Sequence, residues 1–203
     1  MQGGSGPEWV IREDAGQPVL VALFLRHAIG VRSPDELPTL RGLPPRSAPE
    51  RSEAEQALLE RQWLAYWAMT VEPQAHPSPE PLDLVDGFDT LVALPESAVE
   101  LRREIAPHAA DACAYAQRAH ERYRADTAAK PGVSYRAYAS AIAEHERQVG
   151  RRAHSFELNV HVLPLAQRGV WWIGSLTVAV TDGLRGDVVA FDAAIHPIIA
   201  ELA

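Results

Sequence analysis

The chain has 203 residues, 47% of them apolar and 23% charged, and carries 19 Lys and Arg against 27 Asp and Glu, a net charge of −8. That composition supports a packed core and argues against disorder, and the length suffices for one domain of roughly 100–200 residues while being short for two. The acidic balance, with no basic stripe or tail, disfavours nucleic acid; the longest apolar run, 19–25, falls far below the ~18 residues that span a bilayer.

Residues 1–7 read as a Gly-rich flexible tail, and 8–203 as a single globular domain. The tail has neither the basic nor the apolar region of a secretory signal, so a cytoplasmic location is expected. Residues 8–12, with Trp9, Val10 and Ile11, suggest a short strand, and Asp14-Ala15-Gly16 a turn. A helix is expected over 18–29, with Pro18 in its first turn and Gly30 beyond its end. A strand over 19–25 is the competing reading of the same apolar run. Ser33-Pro34-Asp35-Glu36 suggests a brief helical turn. Proline-rich internal arms occupy 38–49 and 71–81.

The spacing of Leu59, Trp63, Tyr66, Trp67 and Thr70 predicts a helix over 52–70, opened by a Ser52–Glu55 capping box. Residues 82–94 lack periodicity and read as irregular. A long helix is expected over 97–124, opened by a Ser97–Glu100 box and kinked at Pro107, which lacks an amide hydrogen. Lys130-Pro131-Gly132 reads as a turn, and 134–149 as a helix stopped by Gly150.

The period then changes. Phe156, Leu158, Val160 and Val162 alternate with polar residues, the mark of a half-buried strand. Residues 170–180 read as a second strand, joined to the first as an antiparallel hairpin through 164–169. Asp182-Gly183 and Arg185-Gly186 read as turns. Asp187 caps a final helix carrying Phe191, Ile195 and Ile199, with Pro197 expected to bend it. The fold class is therefore α+β and mainly helical: about five helices, a C-terminal antiparallel hairpin with a possible third strand from 8–12, and a C-terminal helix. A lone hairpin is marginal, so further polypeptide from this chain or a second copy is expected to shield it.

Histidine and carboxylate on one strand suggest metal or proton chemistry at His154, Glu157, Asn159 and His161. The rise of about 3.3 Å per residue separates Glu157 from His161 by roughly 13 Å, too far to share a zinc ion. Asn159 with His161 has workable spacing, and His145 on the preceding helix could join them, leaving His145, Asn159 and His161 as a candidate polar pocket. Glu104, His108 and Asp111 share a helical face, yet no Glu-x-x-His motif accompanies them. His145-Glu146 lacks the second histidine of a zinc protease helix. Cys113 lies among alanines without a neighbouring cation and reads as an inert thiol. As the only cysteine it excludes an internal disulfide and a cysteine-based zinc site. There is no phosphate-binding glycine loop and no nucleophile elbow, and no cofactor is expected.

Trp63 and Trp67 form a candidate aromatic pocket wall. Trp171 and Trp172 are adjacent on a strand and must point to opposite faces. Trp171 with Ile173 is the candidate interface, because tryptophan is enriched at binding hot spots. Two readings of function follow. The first is a non-catalytic assembly protein, a homo-oligomer or docked on a protein partner through its hairpin. The second is a small-molecule enzyme or ligand-binding protein, with or without a metal, using a pocket between the hairpin and the Trp63/Trp67 helix.

Overall fold

A computed structural model describes residues 9–45, 50–130 and 133–203. The tail read at 1–7 lies outside the described residues, as do 46–49 of the first arm and 131–132 of the expected turn. In chain order the elements are β1 (Trp9–Asp14), α1 (Gln17–Ala28), α2 (Glu53–Val71), β2 (Leu82–Leu84), β3 (Ala93–Pro95), α3 (Val99–Ile105), a 3-10 turn (Ala106–His108), α4 (Ala109–Ala129), α5 (Val133–Val149), β4 (Phe156–Leu163), β5 (Val170–Gly174), β6 (Thr177–Thr181), α6 (Asp182–Arg185) and α7 (Val188–Leu202). The chain is α+β, as the switch from a helical to a strand period implies. It divides into two compact units, Met1–Asp14 with Arg122–Ala203, and Ala15–Glu121.

In the helical unit, 15–121, the ambiguous run at 19–25 is helix. Every residue from Val19 to Leu25 is buried in α1, so this stretch of the helix is apolar on all sides. The capping box that opens α2 forms as expected: Ser52 accepts from the Glu55 amide, and the Glu55 carboxylate accepts from the Ser52 amide at 2.9 Å. The second box does not form. Ala98 occupies the cap position of α3, and Gln62 of α2 takes over by accepting the Leu101 N–H at 2.7 Å. A side chain brought in by tertiary packing thus displaces the local cap. Pro107 breaks the expected 97–124 helix into α3, the 3-10 turn and α4. The stretch read as irregular holds a small antiparallel pair, β2 with β3, in which Asp83 faces Leu94.

Arg51 ties two parts of this unit together. Its guanidinium donates to the Ile29 carbonyl at 2.8 Å and to the Glu104 carboxylate. Hydrogen bonding from Arg51 holds the Glu104 carboxyl below the usual range, against the opposing effect of its burial. A carboxylate whose folded pKa is depressed stabilises the fold above its unfolded value of about 4.3, and that stability is lost as pH falls through the lower folded value. Urea midpoints of wild type should therefore drop between neutral pH and about pH 3, and Glu104→Gln should flatten that decline. An equally steep decline in the variant would remove Glu104 from the acid response.

The sheet unit, 1–14 with 122–203, is built on a four-stranded sheet of order β1-β4-β6-β5. The strand expected at 8–12 exists as β1 and pairs in parallel with β4, Trp9 opposite Phe156 and Asp14 opposite His161. The hairpin differs from the sequence reading. Residues 156–163 and 170–180 are not antiparallel neighbours. The second segment splits into β5 and β6, which form the antiparallel hairpin themselves, and β6 inserts parallel to β4. Two features explain the split. A segment of 11 residues is about twice the usual strand length, and Gly174-Ser175 gives it turn chemistry in the middle. All five residues of β6 are buried, as suits a strand with neighbours on both sides.

Phe156, Leu158 and Val160 of β4 and Val178 and Val180 of β6 join Tyr138, Ile142, Phe191, Ile195 and Ile199 in one core. That core sets α5 and α7 against one face of the sheet. Asp187 caps α7 by accepting the Ala190 N–H at 3.2 Å, and Pro197 lies within the helix. The segment read as turns at 182–186 contains the short helix α6.

Candidate functional site

Three strands of the sheet, β1, β4 and β6, run parallel, so their C-terminal ends lie along one edge. Open sheets with parallel strands place their ligands there, where chain reversals leave room between loops. In this chain that edge carries the polar groups. Glu13 and Asp14 end β1, His161 lies near the end of β4, and Thr181 ends β6.

Successive strand residues point to opposite faces, so Glu13 and Asp14 diverge. Glu13 has the parity of Trp9 and Ile11, which pack on the α5 and α7 side. There its carboxylate accepts from Arg185 through Nε at 3.2 Å and Nη2 at 2.9 Å, and from the Tyr138 hydroxyl at 2.7 Å. The Tyr123 hydroxyl donates to the Glu13 carbonyl at 3.1 Å. The Arg185 and Glu13 side chains are only 5% and 11% exposed. Burial, and then the Glu13 charge, pushes both tyrosine hydroxyls up, so they remain protonated donors. Tyr138 also meets Phe191 edge-on, with ring centroids 5.6 Å apart. The network anchors the end of β1 to α4, α5 and α6 at once.

Asp14 points to the opposite face and meets His161, Oδ1 to Nδ1, at 2.6 Å. An ionised carboxylate can only accept, so the contact calls for Nδ1 as the donor, which in a neutral ring leaves the lone pair on Nε2. The Asp14 side chain is 66% exposed and that of His161 16%, so the pair stands at the boundary between protein and solvent. Thr181 fixes the loop that follows β4, donating to the Gln167 carbonyl at 2.6 Å and accepting the Gly169 N–H at 3.0 Å. Across the sheet, register places Asp14, His161, Ala179 and Trp171 in one row on this face.

The residues singled out from sequence are distributed differently from the expected pocket. Asn159 and His161 share a face, with Asn159 half-buried and its N–H donating to the Leu176 carbonyl at 2.8 Å. His145 does not join them. It is buried on α5, the helix set against the other face, and its Nε2 has no hydrogen-bond partner among the described residues. Glu157 forms an exposed ion pair with Arg12 at 2.7 Å, and the His154 amide donates to the Ala203 carbonyl. Trp171 is half-buried with its ring over Gly169, and Ile173 is 8% exposed at the register shift between Trp172 and Gly174. Trp63 and Trp67 are spent within the helical unit. Both are buried and stacked, with centroids 5.4 Å apart, and the Trp63 indole N–H donates to the Ala22 carbonyl.

The helical candidates resolve into structural roles. Glu104 belongs to Arg51, and the 3-10 turn interrupts the face that Glu104, His108 and Asp111 were expected to share. The Cys113 thiol points to the Gly87 carbonyl at 3.6 Å, and burial, with Asp89 adding to it, pushes its pKa up. Among the described residues no group of three or more His, Cys, Asp or Glu side chains could hold a metal ion. No described helix is long and apolar enough to cross a membrane.

Glu13, Asp14, Tyr123, Tyr138 and Arg185 carry the site and were not identified from sequence. Asp14 read only as turn chemistry, and 146 residues lie between it and His161. The one available signal was the adjacent acidic pair ending a short apolar strand. No protein-family model matches the chain, and no curated protein or solved structure is significantly similar to it.

Proposed function

We propose that this chain is a small-molecule-binding protein with acid–base capability, acting at the C-terminal ends of β1 and β4, and that His161 is its proton-transferring group. The observation that carries this reading is the 2.6 Å contact between Asp14 and His161 Nδ1 at adjacent parallel strand ends. A carboxylate on Nδ1 selects one tautomer and stabilises the imidazolium formed when Nε2 takes a proton. Imidazole is also the side chain whose ordinary pKa lies nearest neutrality. The ligand class that suits the pair is a polar small molecule offering an O–H, N–H or acidic C–H to Nε2.

The buried Glu13–Arg185–Tyr138 cluster supports the reading indirectly. A proton-transferring group must be held within hydrogen-bond reach of its substrate, and the cluster immobilises the strand end that carries Asp14. The assembly reading loses its main motive, since the hairpin gains two further strands from its own chain. Of its anchor residues, Trp171 is half-buried and Ile173 is buried.

A fragment library of polar small molecules, screened by amide chemical shifts of the full chain, tests the proposal. Hits should perturb residues 13–14, 161–163 and 181–182, and His161→Gln should remove those perturbations in a chain that still unfolds cooperatively in urea. The reading fails if no fragment reaches these residues. It fails equally if sedimentation shows an oligomer that Trp171→Ala dissociates while no fragment binds.

A further inference from the structure

A cleft of about 350 Å³ opens in the helical unit beside the C-terminal end of α1. Ligand sites commonly measure roughly 300–1,000 Å³ and combine apolar walls with a few fixed polar groups. Leu23, Leu37 and Leu40 close its floor and are themselves buried, so the exposed lining is more polar than apolar. The polar side chains are Arg26, His27, Arg32, Asp35 and Thr39, with two guanidiniums against one carboxylate.

Arg26 is held in place before any ligand arrives. Its Nη2 donates to the carbonyl of Arg32 and, at 2.5 Å, to that of Pro34. Its guanidinium carbon lies 5.9 Å from the Trp63 ring centroid. Its Nε is buried and has no hydrogen-bond partner among the described residues. Burial pushes the Arg26 pKa down, and Asp35 opposes that shift, so the cation is only partly compensated. A fixed, partly desolvated guanidinium lining a cleft favours an anion, and the planar fork of arginine matches a carboxylate. The His27 ring is spoken for, with Nε2 2.9 Å from the Pro44 carbonyl.

We propose that this cleft binds a small carboxylate, with the carboxylate held at Arg26 and Arg32. The proposal is independent of the Asp14–His161 reading, and either can fail alone.

The probes are hexanoate and hexanamide, which share a shape and differ in charge, each titrated into the full chain and followed by amide shifts of residues 23–43. Hexanoate should saturate a single site by millimolar concentration and hexanamide should bind at least about tenfold more weakly, since charge-assisted hydrogen bonds are about twice as strong as neutral ones. Arg26→Gln removes a guanidinium that also staples the 32–34 backbone, so two milder variants accompany it. Arg32→Gln changes an exposed side chain and should weaken hexanoate several-fold. Leu43→Trp should fill the mouth and abolish binding while leaving the urea midpoint unchanged. Equal affinity for the two probes overturns the proposal, as does failure to saturate at millimolar hexanoate. Undiminished binding in both Arg32→Gln and Leu43→Trp overturns it too.

Discussion

Arg185→Ala should cost about 3–5 kcal/mol of unfolding free energy, because it leaves the Glu13 carboxylate buried without its cation. The pair is well inside the sheet unit, with Arg185 donating two hydrogen bonds to one Glu13 oxygen and Tyr138 donating to the other. Losing Tyr138's hydroxyl in Tyr138→Phe should cost less, about 1–2 kcal/mol, since the cation remains. The double variant Arg185→Met with Glu13→Gln should recover part of the loss, because a neutral pair no longer strands a charge. Urea unfolding measured at neutral pH checks all three. A loss below about 1 kcal/mol for Arg185→Ala would mean that water reaches Glu13 freely, and the anchoring of β1 would need another explanation.

Trp63→Ala should be of similar severity, about 3–5 kcal/mol, through the cavity left in the helical unit. Trp63 is fully buried, stacks on Trp67 with planes 16° apart, and donates its indole N–H to the Ala22 carbonyl at 3.2 Å. It also lies beneath the Arg26 guanidinium, so its loss removes a ring from Arg26 as well as volume from the core. Trp63→Phe keeps most of the ring contact and forfeits the hydrogen bond, and should cost roughly half as much. The comparison separates packing from polar contributions. An alanine variant as stable as wild type would return Trp63 to the role of an open pocket wall.

Local physics was legible in the sequence wherever one segment carried its own instructions. The Ser52–Glu55 box, the Asp187 cap and the alternation along 156–162 all act within a few residues, and each appears in the structure, while the kink expected at Pro107 is there a full 3-10 interruption. What could not be read was pairing across the chain. The parallel registry of β1 with β4, and the insertion of β6 between β4 and β5, depend on contacts between segments far apart in sequence. The alternation in 156–162 sets which residues share a face, and Asn159 and His161 fall on the same one. It says nothing about what stands beside them, and Asp14 was therefore missed. Similarly, Gln62 caps α3 from another helix, and no local rule at Ser97–Glu100 anticipates that.

The same distinction applies to charge. Arg185 and Glu13 are separated by 171 residues and read singly as turn and strand-end residues, which are ordinarily exposed. Only folding makes them a buried pair. Buried ion pairs are expensive to desolvate and offer little net stability over apolar replacements. This pair joins α6 to the strand end that carries Asp14.

The Asp14–His161 pair can be interrogated most directly by the ring nitrogens of His161, read from long-range ¹H–¹⁵N correlations of the full chain. The carboxylate contact requires a protonated Nδ1 and an unprotonated Nε2 in the neutral ring, with that preference weakened in Asp14→Ala. An Nε2-protonated ring in wild type, or a spectrum indifferent to Asp14→Ala, would contradict the pairing and with it the proton-transferring role of His161.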